Sequence, residues 1–165
     1  MKKTIFLIIF AFINNFLLLS QTCLPEGILF TSQNEIDNFQ INYPNCTEIE
    51  GSVSISGNNI NNLNGLSVLT NIGGDLKISS NDSITSFYGL NNLNSVTGDL
   101  KLTLLSGIHD MIGLDNLTFV GGKLEIGTFS VSSLTGLENL DSIGGNLDIY
   151  YTPVKNLNGL NNLIS

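Results

Sequence analysis

The sequence predicts an all-β solenoid of about five coils, each 23 or 24 residues long, with a short helix closing its first end. Two observations carry that prediction. The stretch Ile60-Asn-Asn-Leu63-Asn-Gly65-Leu66-Ser-Val-Leu69-Thr-Asn-Ile72-Gly73-Gly74-Asp75-Leu76-Lys77-Ile78 returns as 84–102, 108–126 and 131–149, then begins again at Val154. Within each unit a segment such as Gly74-Asp75-Leu76-Lys77-Ile78 alternates polar and apolar, which is the period of a strand with one buried face. A fixed repeat of this length marks a stack of coils, each burying its apolar side chains against its neighbours. One coil alone buries too little to offset the ordering of its backbone, so the array folds as a unit.

The Gly-Leu pair falls at 65–66, 89–90, 113–114, 136–137 and 159–160. The step between units varies only outside the apolar pattern: five positions separate the last apolar residue of one unit from the first of the next after Ile55, Ile126 and Ile149, and six after Ile78 and Leu102. The extra residue therefore belongs to an outward turn, where insertions leave a stacked core undisturbed.

In chain order, residues 1–20 read as a signal peptide: Lys2 and Lys3 precede an apolar run from Ile5 to Leu19 that is broken by Asn14 and Asn15. That run is short and interrupted for a membrane span, and none is expected in the mature chain. Cys23 and Cys46 are then two cysteines in an exported chain, which predicts a disulfide. Residues 21–45 form an N-terminal cap. Its Ser32-Gln-Asn-Glu35 has the capping-box form, Ile36, Phe39 and Tyr43 follow at helical spacing, and Pro44 ends the run. The helix over 32–42 lays its stripe on the open end of the first coil.

Residues 46–165 are the solenoid. Its first coil is partial: Cys46-Thr-Glu-Ile49-Glu-Gly51-Ser-Val53-Ser-Ile55 aligns with 69–78 and places Cys46 at a core leucine position. A second short strand is expected around 69–72 and its equivalents, with the Gly-Gly before each main strand serving a backbone corner. Outward positions of the main strand form two ladders, Ser52, Asp75, Asp99, Lys123, Asn146 and Ser54, Lys77, Lys101, Glu125, Asp148, which read as a solvated face with opposite charges on adjacent coils. After Leu160 and Leu163 the pattern asks for another apolar residue while Ser165 is the last, so the expectation is a chain truncated at its C-terminal coil.

The segment Cys46-Thr-Glu-Ile-Glu-Gly51-Ser-Val53-Ser-Ile55, followed by repeated L-x-G-L-x-x-L-x-x-I-x-G-x-L-x-I, resembles the receptor L-domain found in the extracellular parts of growth-factor receptors and in secreted cell-surface repeat proteins. The resemblance implies a right-handed parallel β-helix opened by a disulfide-tied helix. The competing architecture is a leucine-rich repeat horseshoe with signature L-x-L-x-x-N. Asn81 fits that signature, but Leu105, Phe129 and Thr152 stand where further asparagines belong.

Composition narrows the function. Fourteen Asp and Glu against six Lys, with no Arg, is a poor match for nucleic acid or an anionic membrane. No cofactor and no metal site is expected, the sole histidine, His109, sits at a turn, and no nucleophile, base and orienter recur together. The expected function is therefore a secreted or surface-displayed, non-enzymatic module for adhesion or for binding a protein or glycan ligand. The alternatives are a carbohydrate-active β-helix enzyme and a structural spacer. The binding residues expected from exposed aromatics at the variable turns are Phe129, Tyr150 and Tyr151. An end-to-end contact through the uncapped last coil is the other expected partner interaction. Asn45, Asn81 and Asn116 begin glycosylation sequons.

Overall fold

In the computed structural model the repeat becomes two parallel sheets that face each other across one apolar core. The structure describes residues 22–128 and 130–164. The predicted signal peptide and Phe129 lie outside the described residues.

Each coil contributes one strand to each sheet. The first sheet holds β1 (Thr22–Cys23), β3 (Glu48–Ile49), β5 (Asn71–Ile72), β7 (Ser95–Val96), β9 (Phe119–Val120) and β11 (Ser142–Ile143), stacked in that order. The second holds β2 (Ile28–Phe30), β4 (Val53–Ile55), β6 (Leu76–Ser79), β8 (Leu100–Thr103), β10 (Leu124–Gly127) and β12 (Leu147–Ile149). The register keeps equivalent residues in line: Leu76 pairs with Leu100 and Leu100 with Leu124. The expected short strand before the Gly-Gly corner is thus present in every coil, and the fold is an all-β solenoid. With a sheet on two sides and no helix after residue 66 among the described residues, it is not a leucine-rich repeat horseshoe.

The core follows the repeat letter by letter. In the coil from 84 to 102, Ile84, Phe87, Leu90, Leu93, Val96, Leu100 and Leu102 are all buried. Burying such side chains stabilises a fold by about 1.5–3 kcal/mol each. The same positions in neighbouring coils supply the rungs above and below.

Two features differ from the sequence reading. The stack starts earlier than Cys46: β1 and β2 join both sheets, pairing with β3 and β4. The repeat pattern hides them because five positions lead from Cys23 to Ile28, against four from the paired Ile49 to Val53. The expected helix over 32–42 is two short ones, α1 (Gln33–Asp37) and α2 (Phe39–Asn42), parted at Asn38. The capping box is present, with Glu35 accepting the backbone N–H groups of Thr31 at 2.6 Å and Ser32 at 3.0 Å. The bond from Thr31 leads in holding the Glu35 carboxyl below its ordinary range. Ile36 and Phe39 are fully buried, and the Phe39 ring meets Phe30 edge-on. Cys23 and Cys46 are disulfide-bonded, joining β1 to the chain just before β3.

Close approach between coils explains the Gly-Gly pairs better than a special backbone angle does. A Cβ on Gly74 would stand 2.7 Å from the backbone nitrogen of Ser52 in the preceding coil. The glycine of the Gly-Leu pair is different. Gly113 has φ +104°, a conformation that side chains resist, and a Cβ there would also collide with the Phe87 carbonyl group.

Candidate functional site

The outward ladders carry the first polar architecture. Asp75 accepts the backbone N–H of Asp99 at 2.8 Å, and Asp99 accepts that of Lys123 at 2.7 Å. Ser52 begins the series by accepting from Asp75 at 3.0 Å. These stacked carboxylates are therefore engaged in joining coils. On the other ladder, Lys101 reaches Glu125 at 2.9 Å, and Lys123 crosses from the first ladder to bridge Glu125 at 3.1 Å and Asp148 at 2.7 Å.

Glu125 is the centre of this group. Besides the two ammonium groups it accepts the phenol hydroxyl of Tyr150 from the next coil. That phenol bond leads, with the two lysines behind it, in lowering the carboxyl from the ordinary 4.5 to about 2 against the opposing effect of burial. The reciprocal effect raises the Tyr150 phenol. Bonds to Asp148 and then Glu125 raise the Lys123 ammonium.

Tyr150 is seated by a missing side chain. A Cβ on Gly127 would lie 2.6 Å from Cε2 of the Tyr150 ring, so glycine at 127 makes the space the ring uses. Equivalent coils carry Ser79 and Thr103 at that register position. Covered by this ring, Glu125 is buried although it sits at an outward ladder position. Tyr151 follows with φ +52°, the left-handed turn conformation also found at Ser80 and Leu104. Its ring meets Tyr150 edge-on, centroids 5.3 Å apart, and it remains 69% exposed. The two tyrosines lie beside Ile149, Val154 and Leu157, which occupy the repeat positions that are fully buried as Ile126, Val131 and Leu134 one coil earlier.

Of the residues expected to bind, Tyr150 and Tyr151 thus share one surface. His109 is exposed, its Nδ1 3.1 Å from the Ser130 carbonyl oxygen. Asn81 is fully buried: it accepts the Gly57 N–H and donates to the carbonyls of Ile55 and Ser79. One coil pair further on, Thr128 and Ser130 close the corresponding turn through Leu105.

Sequence reasoning missed a further row. In the G-L-x-N-L loops, Asn92, Asn116, Asn139 and Asn162 each donate Nδ2 to a backbone carbonyl of the coil before, those of Ser67, Asn91, Asp115 and Glu138. The preceding x residue accepts the N–H of its own loop glycine, as Asp115 does from Gly113 at 2.8 Å. The signal was visible as the recurring Asn-Leu but reads as ordinary turn composition. Three of these asparagines, with Thr70, Asn94, Thr118 and Asp141, line a groove of about 450 Å³.

Fold and ladders together define a parallel two-sheet β-solenoid with a polar outward face. Residues 45–105 match the family model of the receptor L domain, and the solenoid is consistent with an L-domain-like repeat fold. No curated protein and no solved structure matches the chain. Among the described residues, no helix is long and apolar enough to cross a membrane, and no group of three His, Cys, Asp or Glu is placed to hold a metal ion.

Proposed function

We propose that this chain is a secreted or cell-surface, non-enzymatic recognition module that holds a protein or carbohydrate ligand against its Tyr150–Tyr151 edge. The observation that carries this reading is the tyrosine pair itself. One ring is locked down by Glu125 and Gly127, and the other stands exposed at the turn that follows β12. Rigid aromatics with exposed polar tips are favoured contact residues because they bring large area at little cost in conformational freedom. The match of residues 45–105 to the receptor L domain supports ligand recognition, and the Cys23–Cys46 disulfide supports an oxidising, extracellular setting. Glu125 is committed to three donors and ionised at neutral pH, which makes it a poor general acid and weighs against the carbohydrate-active enzyme. Phe129 belongs to the same proposal from its place in the sequence. An end-to-end contact through the last coil is part of the same proposal.

The test is to immobilise the full chain and present it to arrayed extracellular proteins and glycans. Tyr151→Ala is expected to weaken the best ligand at least tenfold. Unchanged affinity in that variant sinks the assignment, and turnover of any glycan by the wild-type chain reinstates the enzyme.

A further inference from the structure

The groove lined by Thr70, Asn94, Thr118 and Asp141 on one side and Asn92, Asn116 and Asn139 on the other lies away from the tyrosine edge, and shares no lining residue with it. Its amides are held before any ligand arrives. Asn92, Asn116 and Asn139 donate one Nδ2 hydrogen to Ser67, Asn91 and Asp115 at 2.8, 2.6 and 2.7 Å. Each such bond fixes the side chain while using only one of two amide hydrogens and no lone pair of Oδ1. Beside them, Thr70 and Thr118 donate their hydroxyls to Thr47 and Asn94 at 3.2 Å; the Thr118 oxygen is kept as an acceptor, while that of Thr70 already accepts from Asn71 at 3.3 Å.

The result is a row of donor and acceptor pairs repeated once per coil, at roughly the 4.7–4.9 Å strand spacing of a sheet. Asp141 is the only charged lining residue, and the chain carries a net charge of −8. An anionic ligand is disfavoured by that field. Repeated groups that donate and accept, with no charge, match the hydroxyls of a sugar chain. We infer that this groove binds a neutral, linear oligosaccharide lying along the solenoid axis.

Calorimetric titration of the full chain with cellohexaose, chitohexaose, maltohexaose and mannohexaose tests this. Saturable binding of at least one is expected. Thr118→Arg, which fills the groove, should abolish it, Asn94→Ala should weaken it at least threefold, and Ser106→Ala, on an exposed turn outside the groove, should change it less than twofold. Circular dichroism and melting establish that each variant is folded. If Thr118→Arg proves unfolded, Asn94→Ala decides. Absence of binding to all four sugars overturns the inference. So does binding that survives the folded groove variants, and so does loss in Tyr151→Ala alone, which places the sugar at the tyrosine edge instead.

Discussion

The Tyr150 hydroxyl donates to the Glu125 carboxylate across adjacent coils, so the last main strand covers an acidic side chain of the strand before it. Because that bond favours the ionised carboxylate, it links stability to pH. The folded Glu125 pKa of about 2 lies below its ordinary 4.5. Its contribution is therefore full above about pH 4.5 and is lost as pH falls from there toward 2. Glu125→Gln should flatten the acid limb of the melting temperature against pH in that window. Tyr150→Phe should shift the limb to higher pH. An acid limb identical in wild type and Glu125→Gln would contradict this.

Asn81 closes one turn with three bonds in a fully buried position. Asn81→Ala strands the Gly57 N–H and two carbonyls, and should cost about 1–3 kcal/mol per group left unsatisfied. Asn58→Ala, at an exposed position of the preceding turn, should stay within about 0.5 kcal/mol. Urea unfolding of the two variants measures the contrast.

Gly113 couples a left-handed backbone to a tight contact with Phe87. Gly113→Ala should lose more than about 2 kcal/mol, since strained backbone alone costs on the order of 1–3. Ser106→Ala, on an exposed turn, is the matching control in thermal melts.

The disulfide closes a loop with a sequence separation of 23 and ties down β1, which pairs with its neighbour over two residues. Replacing both cysteines by serine should cost about 3 kcal/mol in the chain-entropy model. Amide exchange should rise first at Glu50 and Gly51, which donate to the carbonyls of Cys23 and Leu24. Uniform acceleration along the whole stack would instead point to a global loss.

Much of this was legible before the structure. The apolar repeat maps onto buried rungs throughout the units 60–78, 84–102 and 108–126, because a buried stack tolerates no polar substitution at those positions, while Leu147 and Ile149 of the next unit are half-buried. The Lys101–Glu125 pair also follows from the strand register. What was hidden depends on a single displaced residue or on distance along the chain. One extra position between Cys23 and Ile28 conceals β1 and β2, and the break at Asn38 is invisible in the Ile36, Phe39, Tyr43 spacing. The seat of Tyr150 needs Gly127 and Glu125 from another coil, a conjunction that no local window contains. The asparagine row needed only the observation that L-x-N-L recurs where a carbonyl of the coil below waits for a donor.

The central claim is that the Tyr150–Tyr151 edge is the recognition surface. Hydrogen exchange of the full chain, with and without the best protein ligand found on the array, tests it most directly. The account predicts added protection concentrated at Tyr150, Tyr151 and Thr152, the turn that carries the tyrosine edge. Protection confined to the opposite sheet, at β5, β7 and β9, would contradict it.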